Sequence, residues 1–584
     1  LTDSSAASDV YKRQAKGLAV VLIDLGLDAV EPESIVGGAT DRSHGDIAIP
    51  FHKFAGVLRR PPAEIAEEAA GKLSPYLDKI ANVNSKSGFV NVTATPEWLS
   101  SRLVEFRAHP SFGVEGDSTR KVVVDYSSPN IAKEMHVGHL RSTVIGDSLV
   151  RVLQAKGNKV IRENHIGDWG TPFGMLIERL EDMDSSGIDP DEALSDLGRF
   201  YRDARVQFDG DENFRARARE RVVSLQTGDG PTLRRWGQLV DISMSHFQEV
   251  YGLLDVLLTE DDVMGESKYD HMLSDVVERL REKGMLESND GASVIYPGDW
   301  INRDGDPLPL IIKKRDGGYN YATSDLACII DRVERLGADD LVYVVGAEQK
   351  QHFEMVFASA RKCGLIDSRH TTSHVPFGLV LGPDGGKLKS RSGGAVKLLD
   401  LLNEAIHRAS ASVKERNPDI TQEELLRLSR SIGIGAVKYS DLKSDRTKDY
   451  VFDWEKMLSF EGETGPYLQY AHARIASILR NDKFQHSKTG PTHFSLAHES
   501  EVRLAREVLK YPDSVDKAAE DLAPNRICKQ LHRLSQAFGA FYENCPVLVE
   551  EDETRNERIA LCRITGGILK HGLSLLGIDA PDRM

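Results

Sequence analysis

Apolar residues follow several distinct spacings along the chain, and each predicts a different kind of element. Between residues 20 and 98, Gly45-Asp46-Ile47-Ala48-Ile49 and Gly88-Phe89-Val90-Asn91-Val92 alternate like strands, while residues 62–77 carry Ala, Glu and Ile at helical spacing. Lys121-Val122-Val123-Val124-Asp125 is instead continuously apolar, as a parallel strand buried on both faces would be, and Ser127-Ser128-Pro129-Asn130 ends it with turn formers. Residues 139–156 then put Leu140, Val144, Ile145, Leu149, Val152 and Leu153 on one helical face. Gly157 terminates that helix, and Lys159-Val160-Ile161 opens a second strand. Strand, helix and strand at this length form a βαβ unit, which predicts a parallel sheet with its ligand at the carboxyl ends of the strands.

Residues 178–286 are mostly helical in period and heavily charged, and read as an insertion between two halves of that sheet. Strand patterns return at Pro309-Leu310-Ile311-Ile312 and Leu341-Val342-Tyr343-Val344-Val345, where the second half of the sheet is expected. Beyond residue 398 helical period dominates, with breaks at Asn417-Pro418, near Thr489-Gly490-Pro491 and at Cys545-Pro546. The predicted organisation is a small α/β unit at 15–100, a catalytic α/β domain at 119–398 and a helical module at 399–584, with a Gly-, Pro- and Ser-containing linker at 110–118. Residues 1–14 are polar and aperiodic and begin with Leu1, so a non-native or disordered segment is expected there.

A length of 584 residues fits three or four domains at about 150 residues each. No apolar run is long enough to suggest a membrane helix, and no secretion signal opens the chain, so a cytoplasmic protein is expected. Cys328, Cys363, Cys528, Cys545 and Cys562 have neither metal spacing nor an even count for a disulfide framework. A formal charge of −16 argues against a protein that coats nucleic acid through a global basic field, yet local basic clusters can still hold RNA.

In His136-Val137-Gly138-His139 two imidazoles stand at the mouth of the predicted helix, where unpaired amides and the dipole favour phosphate and Gly138 permits close backbone approach. Donors fixed there can stabilise charge growing on a phosphoryl group without covalent chemistry. Taken alone, the four residues fit a plain helix-cap pair equally well. The glycine-rich residues 382–387 are not a Walker loop, being one residue short and followed by Leu388 in place of Ser or Thr.

The string is longer, however: Asp125-Tyr126-Ser127-Ser128-Pro129-Asn130-Ile131-Ala132-Lys133-Glu134-Met135-His136-Val137-Gly138-His139-Leu140-Arg141-Ser142-Thr143. It closely resembles the signature segment of arginyl-tRNA synthetases, which are class I enzymes. The similarity continues at Asn164-His165-Ile166-Gly167-Asp168-Trp169-Gly170, Tyr321-Ala322-Thr323-Ser324-Asp325-Leu326-Ala327, Gln349, His352-Phe353, Gly465-Pro466-Tyr467-Leu468-Gln469-Tyr470-Ala471-His472-Ala473-Arg474 and Arg583-Met584. The resemblance implies a multidomain α/β plus all-α protein. Its parts would be a Rossmann-like parallel-sheet catalytic domain with a helical insertion, an N-terminal additional domain touching the outer corner of tRNA, and a C-terminal DALR-type anticodon-binding domain. It further implies a ligase that uses ATP with Mg2+ to form arginyl-adenylate from L-arginine and charges the 3′-terminal ribose of tRNA(Arg). A monomer with no membrane partner and no tightly bound metal is expected, and many members need bound tRNA before they activate arginine.

By the same resemblance, Lys133, His136, Gly138, His139, His352 and Lys389 lie at ATP, and Lys133, His136, His139, Lys389 and Arg391 have the catalytic roles. Class I enzymes usually carry a Lys-Met-Ser-Lys-Ser loop. Here the region reads Gly385-Gly386-Lys387-Leu388-Lys389-Ser390-Arg391-Ser392-Gly393, with Lys389 as the first lysine and Ser392 where the second should stand. Arginyl enzymes commonly show this departure, and Lys133 is thought to supply the missing cation, assisted here by Lys389 or Arg391. A register starting at Lys387 also lacks the second lysine.

Arginine binding falls to Asp125, Asn130, His136, Tyr321, Asp325 and Gln349. A guanidinium presents five donors in a rigid fork and stays charged, so a selective pocket needs carboxylates and a flat aromatic face, and these positions supply them. Lysine would leave buried acceptors unpaired, and such losses discriminate by a factor of about 10⁴ or more. For tRNA, Tyr467, Gln469, Tyr470, Arg474 and Met584 are the candidates, rings for stacking beside cations for phosphate, although a helix packing its aromatic face into a core has the same spacing. Arg215, Arg217, Arg219 and Arg221 have acidic neighbours and read as a solvated helix face. Three other readings remain open: a class I synthetase for another amino acid, a small-molecule nucleotidyltransferase, and a non-catalytic RNA-binding paralogue.

Overall fold

Four parallel strands organise the middle of the chain, in the order Thr371–His374, Asp340–Tyr343, Lys121–Asp125 and Lys159–Glu163. The computed structural model describes residues 16–38, 45–116, 118–187, 196–386, 388, 396–480 and 490–584. Val122, Val123 and Val124 are all buried, because helices cover both faces of this sheet. The signature helix Val137–Ala155 connects the two strands of the predicted βαβ unit, and Gly146 lets it lie directly on Tyr126, where a Cβ would overlap the tyrosine.

The strand expected at 309–312 forms as Leu310–Lys313 but belongs elsewhere. It pairs antiparallel with Ala292–Ile295 in a separate three-stranded sheet that also contains Glu287–Asn289. Leu310 and Ile312 are buried while Ile311 is exposed, and this one-sided burial suits an antiparallel sheet with one wet face. Apolarity alone could not assign the strand to either sheet.

The N-terminal unit is a four-stranded antiparallel sheet covered by the helix Pro62–Leu73. Its tight hairpin pairs Lys86 with Phe89 through Ser87 and Gly88, both at positive φ, as a two-residue turn matching strand twist requires. In the inserted region, the helices Thr171–Ser185, Leu197–Gly210, Glu212–Gln226 and Gly230–Leu254 pack together. Part of the arginine strip expected to face solvent fastens them: Arg217 pairs with Glu178 and Asp182, and Arg221 with Glu178.

From Leu398 onward the regular elements among the described residues are helices, apart from Tyr450–Val451, which pairs in parallel with Val380–Leu381. The stem helix Gln422–Leu442 grips the signature helix through a buried ion pair, Asp441 with Arg141 at 3.2 Å. One apolar core runs from Val144 through to Leu531 and Leu569, so the helical module and the sheet domain share it. The segment expected to be disordered, residues 1–14, lies outside the described residues.

Candidate active site

The turn between the strand and the signature helix is held open by buried polar contacts. Ser127 and Ser128 adopt φ of 72° and 49°, and Ala132 adopts 58°. These left-handed conformations persist because their amides are satisfied: Ser127 N–H donates to Ser142 Oγ at 2.9 Å, Ser128 N–H to Asn164 Oδ1 at 3.0 Å, and Ala132 N–H to Ser243 Oγ at 2.9 Å. Tyr251 OH ties Ser127 Oγ to Asn164 Nδ2 at 2.7 and 3.0 Å. The insertion helix Gly230–Leu254, which supplies Ser243 and Tyr251, therefore shapes the active-site turn.

At the helix mouth His136 and His139 cap each other's backbone. Gly138 N–H donates to His136 Nδ1 at 3.0 Å, and His136 N–H donates to His139 Nδ1 at 3.0 Å, with the rings 4.1 Å apart. His139 N–H goes to His136 O, and Val137 N–H goes to Val396 O. The expected free amides at this N-terminus are thus already engaged, which corrects the picture of a backbone phosphate cradle. Each imidazole accepts through Nδ1 and so carries its proton on Nε2, which has no partner among the described residues. Burial, then His136 and Lys133, lower His139 to about 3, and burial with Lys133 also lowers His136. Both rings are neutral donors near pH 7, and Lys133, exposed beside them, provides the positive charge.

Across the sheet ends, Asp325 sits on the helix Tyr321–Ile330 and lies 2.6 Å from His352 Nε2. Tyr321 opens that helix and is 74% exposed, while Gln349 and Asn130 are exposed at the ends of other segments. Asp125 differs from expectation. It is buried, Arg332 Nη2 donates to its Oδ2 at 2.7 Å and Ser128 Oγ to its Oδ1 at 3.1 Å. Each of its oxygens therefore already accepts one hydrogen bond from the protein's own groups. Arg332 also donates to Glu163 Oε2 at 2.6 Å and lies over the Tyr343 ring at 4.8 Å. Burial opposes its charge, but Glu163, Tyr343 and Asp125 outweigh that and raise its pKa well above the ordinary value.

Glu266 was missed in the sequence, where nothing but its place after Gly265 sets it apart. Burial raises its pKa, and the carboxylates of Asp168 and Asp325 push in the same direction. Asp168 itself is fixed by Ser267, through N–H at 2.8 Å and Oγ at 2.6 Å. Tyr201 and Arg332 were missed too, each lying in a charged stretch that reads as solvated helix.

Lys389 and Arg391 lie outside the described residues, as does Lys387. The chain beyond them is described: Leu398 N–H donates to Met135 O at 2.8 Å, and Lys397 pairs with Glu134 at 2.7 Å. The segment 396–398 is therefore stitched to the start of the signature helix and the residues immediately before His136.

In the helical module a cavity of about 650 Å³ is lined by Arg416, Phe460, Tyr467, Tyr470, Arg474 and Phe538. Arg474 stacks on Tyr470 at 4.9 Å and on Tyr542 at 5.4 Å, and Met584 packs against the small core of Ala409, Val413, Leu425, Leu428 and Ile432, which Leu458 and Phe460 also cover. Gln469 does not join them. It is 0% exposed, and its Nε2 donates to Ser431 O and Asp579 O at 3.0 and 2.8 Å, so it cannot touch RNA as expected.

Three family models match successive parts of the chain. They are described as the Arginyl tRNA synthetase N terminal domain at residues 12–94, tRNA synthetases class I (R), catalytic domain at 105–454, and the DALR anticodon binding domain at 468–584. The arginine–tRNA ligase of Pseudoalteromonas atlantica is 45% identical over 535 residues, covering 91% of this chain and 92% of the relative. That of Thermobifida fusca is 45% identical over 534 residues, covering 90% and 91%. Among solved structures, the arginyl-tRNA synthetase of Plasmodium falciparum superposes with a TM-score of 0.84 at 28% identity, covering 100% of both chains. The Thermus thermophilus arginyl-tRNA synthetase gives 0.80 at 25% identity, covering 98% of this chain and 100% of its own.

Proposed function

The chain belongs to the arginyl-tRNA synthetase family, and from that premise we propose that it activates L-arginine with ATP and transfers the arginyl group to the 3′-terminal ribose of tRNA(Arg). The observation that carries the amino-acid assignment is the match of residues 105–454 to the class I (R) catalytic domain, within which the Asp325 carboxylate stands 2.6 Å from His352 Nε2. A guanidinium can offer two parallel donors to such a carboxylate where an ammonium offers a point charge. Tyr321 supplies the flat face, Gln349 a further polar contact, and Asn130 with His136 meets the backbone end of the amino acid.

In the first step the arginine carboxylate attacks the α-phosphorus of ATP in line, the bond to the β,γ-unit breaks and pyrophosphate leaves. The Nε2–H donors of His136 and His139 stabilise charge on the phosphate oxygens, and Lys133 supplies the cation that the degenerate loop lacks. Lys389 and Arg391 assist from that loop, Gly138 keeps the helix mouth open to the nucleotide, His352 borders it, and Mg2+ enters as part of the ATP substrate. In the second step the terminal ribose hydroxyl attacks the activated carbonyl carbon and AMP departs. No side-chain nucleophile is required. The cavity bearing Tyr467, Tyr470 and Arg474, with Met584 at its edge, would receive bases of the tRNA by stacking. No helix among the described residues is long and apolar enough to cross a membrane, and we propose a cytoplasmic monomer.

Arginine-dependent ATP–pyrophosphate exchange, with and without tRNA and with lysine and glutamine in parallel, tests the proposal. Exchange is expected with arginine. Folded protein that exchanges under no condition contradicts the enzyme, and exchange with another amino acid contradicts the substrate.

A further inference from the structure

We propose that Tyr201, on the inserted helix Leu197–Gly210, is a positioning residue for arginine activation whose ring aims the Lys133 ammonium at the nucleotide phosphates. This inference rests on the reading of Lys133 as the phosphate-binding cation. Lys133 Nζ lies 4.6 Å from the Tyr201 ring centroid. Lys133 forms no ion pair among the described residues, and the carboxylate next to it in sequence, Glu134, is taken by Lys397 at 2.7 Å. The ring is thus the contact that orders an otherwise exposed, four-carbon side chain.

Both partners of this contact are anchored. On the Lys133 side, Ala132 N–H is fixed to Ser243 Oγ at 2.9 Å and Ile131 N–H to Gly167 O at 3.0 Å, so the backbone entering Lys133 has one direction. On the Tyr201 side, Leu197, Phe200 and Ala204 bury their side chains in the main core and hold the helix in place. The helix also reaches the signature turn at Gly198, where a Cβ would lie 2.9 Å from Glu134 Oε2.

An aromatic face suits this task better than a carboxylate. A carboxylate at 201 would neutralise Lys133 and compete with the phosphate oxygens for it. The π face attracts one side of the ammonium by its quadrupole and leaves the charge, and the N–H donors on the other side, for the nucleotide. The inserted helices, remote in sequence from the motif, then contribute directly to the alignment of the phosphoryl reaction.

The test is a substitution series at 201 in the full-length protein, read by arginine-dependent pyrophosphate exchange. Tyr201→Phe keeps the ring and should stay within about twofold of the parent, whereas Tyr201→Leu should lower kcat by about three- to thirtyfold with little change in KM for arginine. Phenylalanine carrying one, two and three ring fluorines at 201 preserves shape while weakening the quadrupole, so the rate should fall stepwise along the series. In a Lys133→Ala background, Tyr201→Leu should cause no further loss. A flat fluorine series, or equal losses from Tyr201→Leu in both backgrounds, overturns the positioning role. Lys133→Ala with the parent's exchange rate instead overturns the underlying reading of Lys133.

Discussion

His352 Nε2 and the Asp325 carboxylate are 2.6 Å apart, so the acidic group assigned to the guanidinium already has a partner. Burial works against a charged His352, but its hydrogen bond to Asp325 and the charge of that carboxylate prevail, and its pKa is raised from 6.5. Stabilisation from this pair is complete below the unfolded value and is lost as pH rises through the higher folded value. Arginine binding should show the opposite trend. Once the ring loses its proton, Asp325 is released to the incoming cation, and KM for arginine should fall as pH increases through that window. In His352→Gln the dependence should flatten, and an unchanged profile in that variant rules out competition by His352.

Arg332 holds Asp125 and Glu163 together inside the protein, with all three side chains buried. Arg332→Met should therefore destabilise the fold by about 3–5 kcal/mol, the usual cost of leaving buried charges uncompensated. Urea unfolding measures it. Asp125→Asn, in contrast to Asp325→Asn, should alter stability more than KM for arginine. If Asp125→Asn raises KM as strongly as Asp325→Asn while leaving the unfolding midpoint unchanged, Asp125 contacts the substrate after all.

The parts of the site that were legible in the sequence lie on continuous strings. The buried strand, the turn and the signature helix follow one another without interruption, so Lys133, His136 and His139 declare themselves. Arg332 does not, because its partners are 207 and 169 positions away and its own surroundings, Asp331-Arg332-Val333-Glu334-Arg335, look like a solvated helical turn. Glu266 and Tyr201 are hidden for the same reason, since their significance arises only where separate elements meet. The engaged amides at the helix mouth were invisible too. Counting a helix's free N–H groups takes no account of imidazole side chains that turn back to cap them. The strand Leu310–Lys313 was legible as a strand but not as a member of its sheet, since four apolar-rich residues carry no record of their partner.

Gly138 has a geometric role that a single methyl group tests. A Cβ there would lie 2.7 Å from His136 Cε1 and 2.8 Å from its Nδ1. Gly138→Ala must push the ring off the cap, breaking the bond that fixes its tautomer. Because alanine favours helix, thermal stability should change little, while exchange falls by about 10²-fold, the scale expected for a displacement of about 1 Å in an aligned site. Parent-like exchange in a folded Gly138→Ala protein contradicts the cap geometry as a requirement for activity.

Gln469 and Tyr470 are neighbours in sequence with different work. Gln469 belongs to a series of side chains that hold the final segment by its carbonyls: Ser148 at Leu575, Lys438 at Gly577, Gln469 at Asp579 and Arg480 at Asp582. That segment delivers Met584 to the small core of Ala409, Val413, Leu425, Leu428 and Ile432, which Leu458 and Phe460 of the cavity lining also cover. Gln469→Leu leaves the carbonyls of Ser431 and Asp579 without their donor and should cost about 1–3 kcal/mol, visible as a lowered melting temperature. Tyr470 is 36% exposed and stacks only with Arg474 and, edge-on, Phe460 among the described rings and cations. Tyr470→Ala should keep the parent's melting temperature and weaken tRNA binding by about 1–3 kcal/mol, a loss of about 5- to 150-fold in affinity if the ring stacks on a base. Melting curves and filter binding with tRNA separate the two. A Gln469→Leu variant with parental stability and a tRNA defect as large as that of Tyr470→Ala would return Gln469 to the RNA surface.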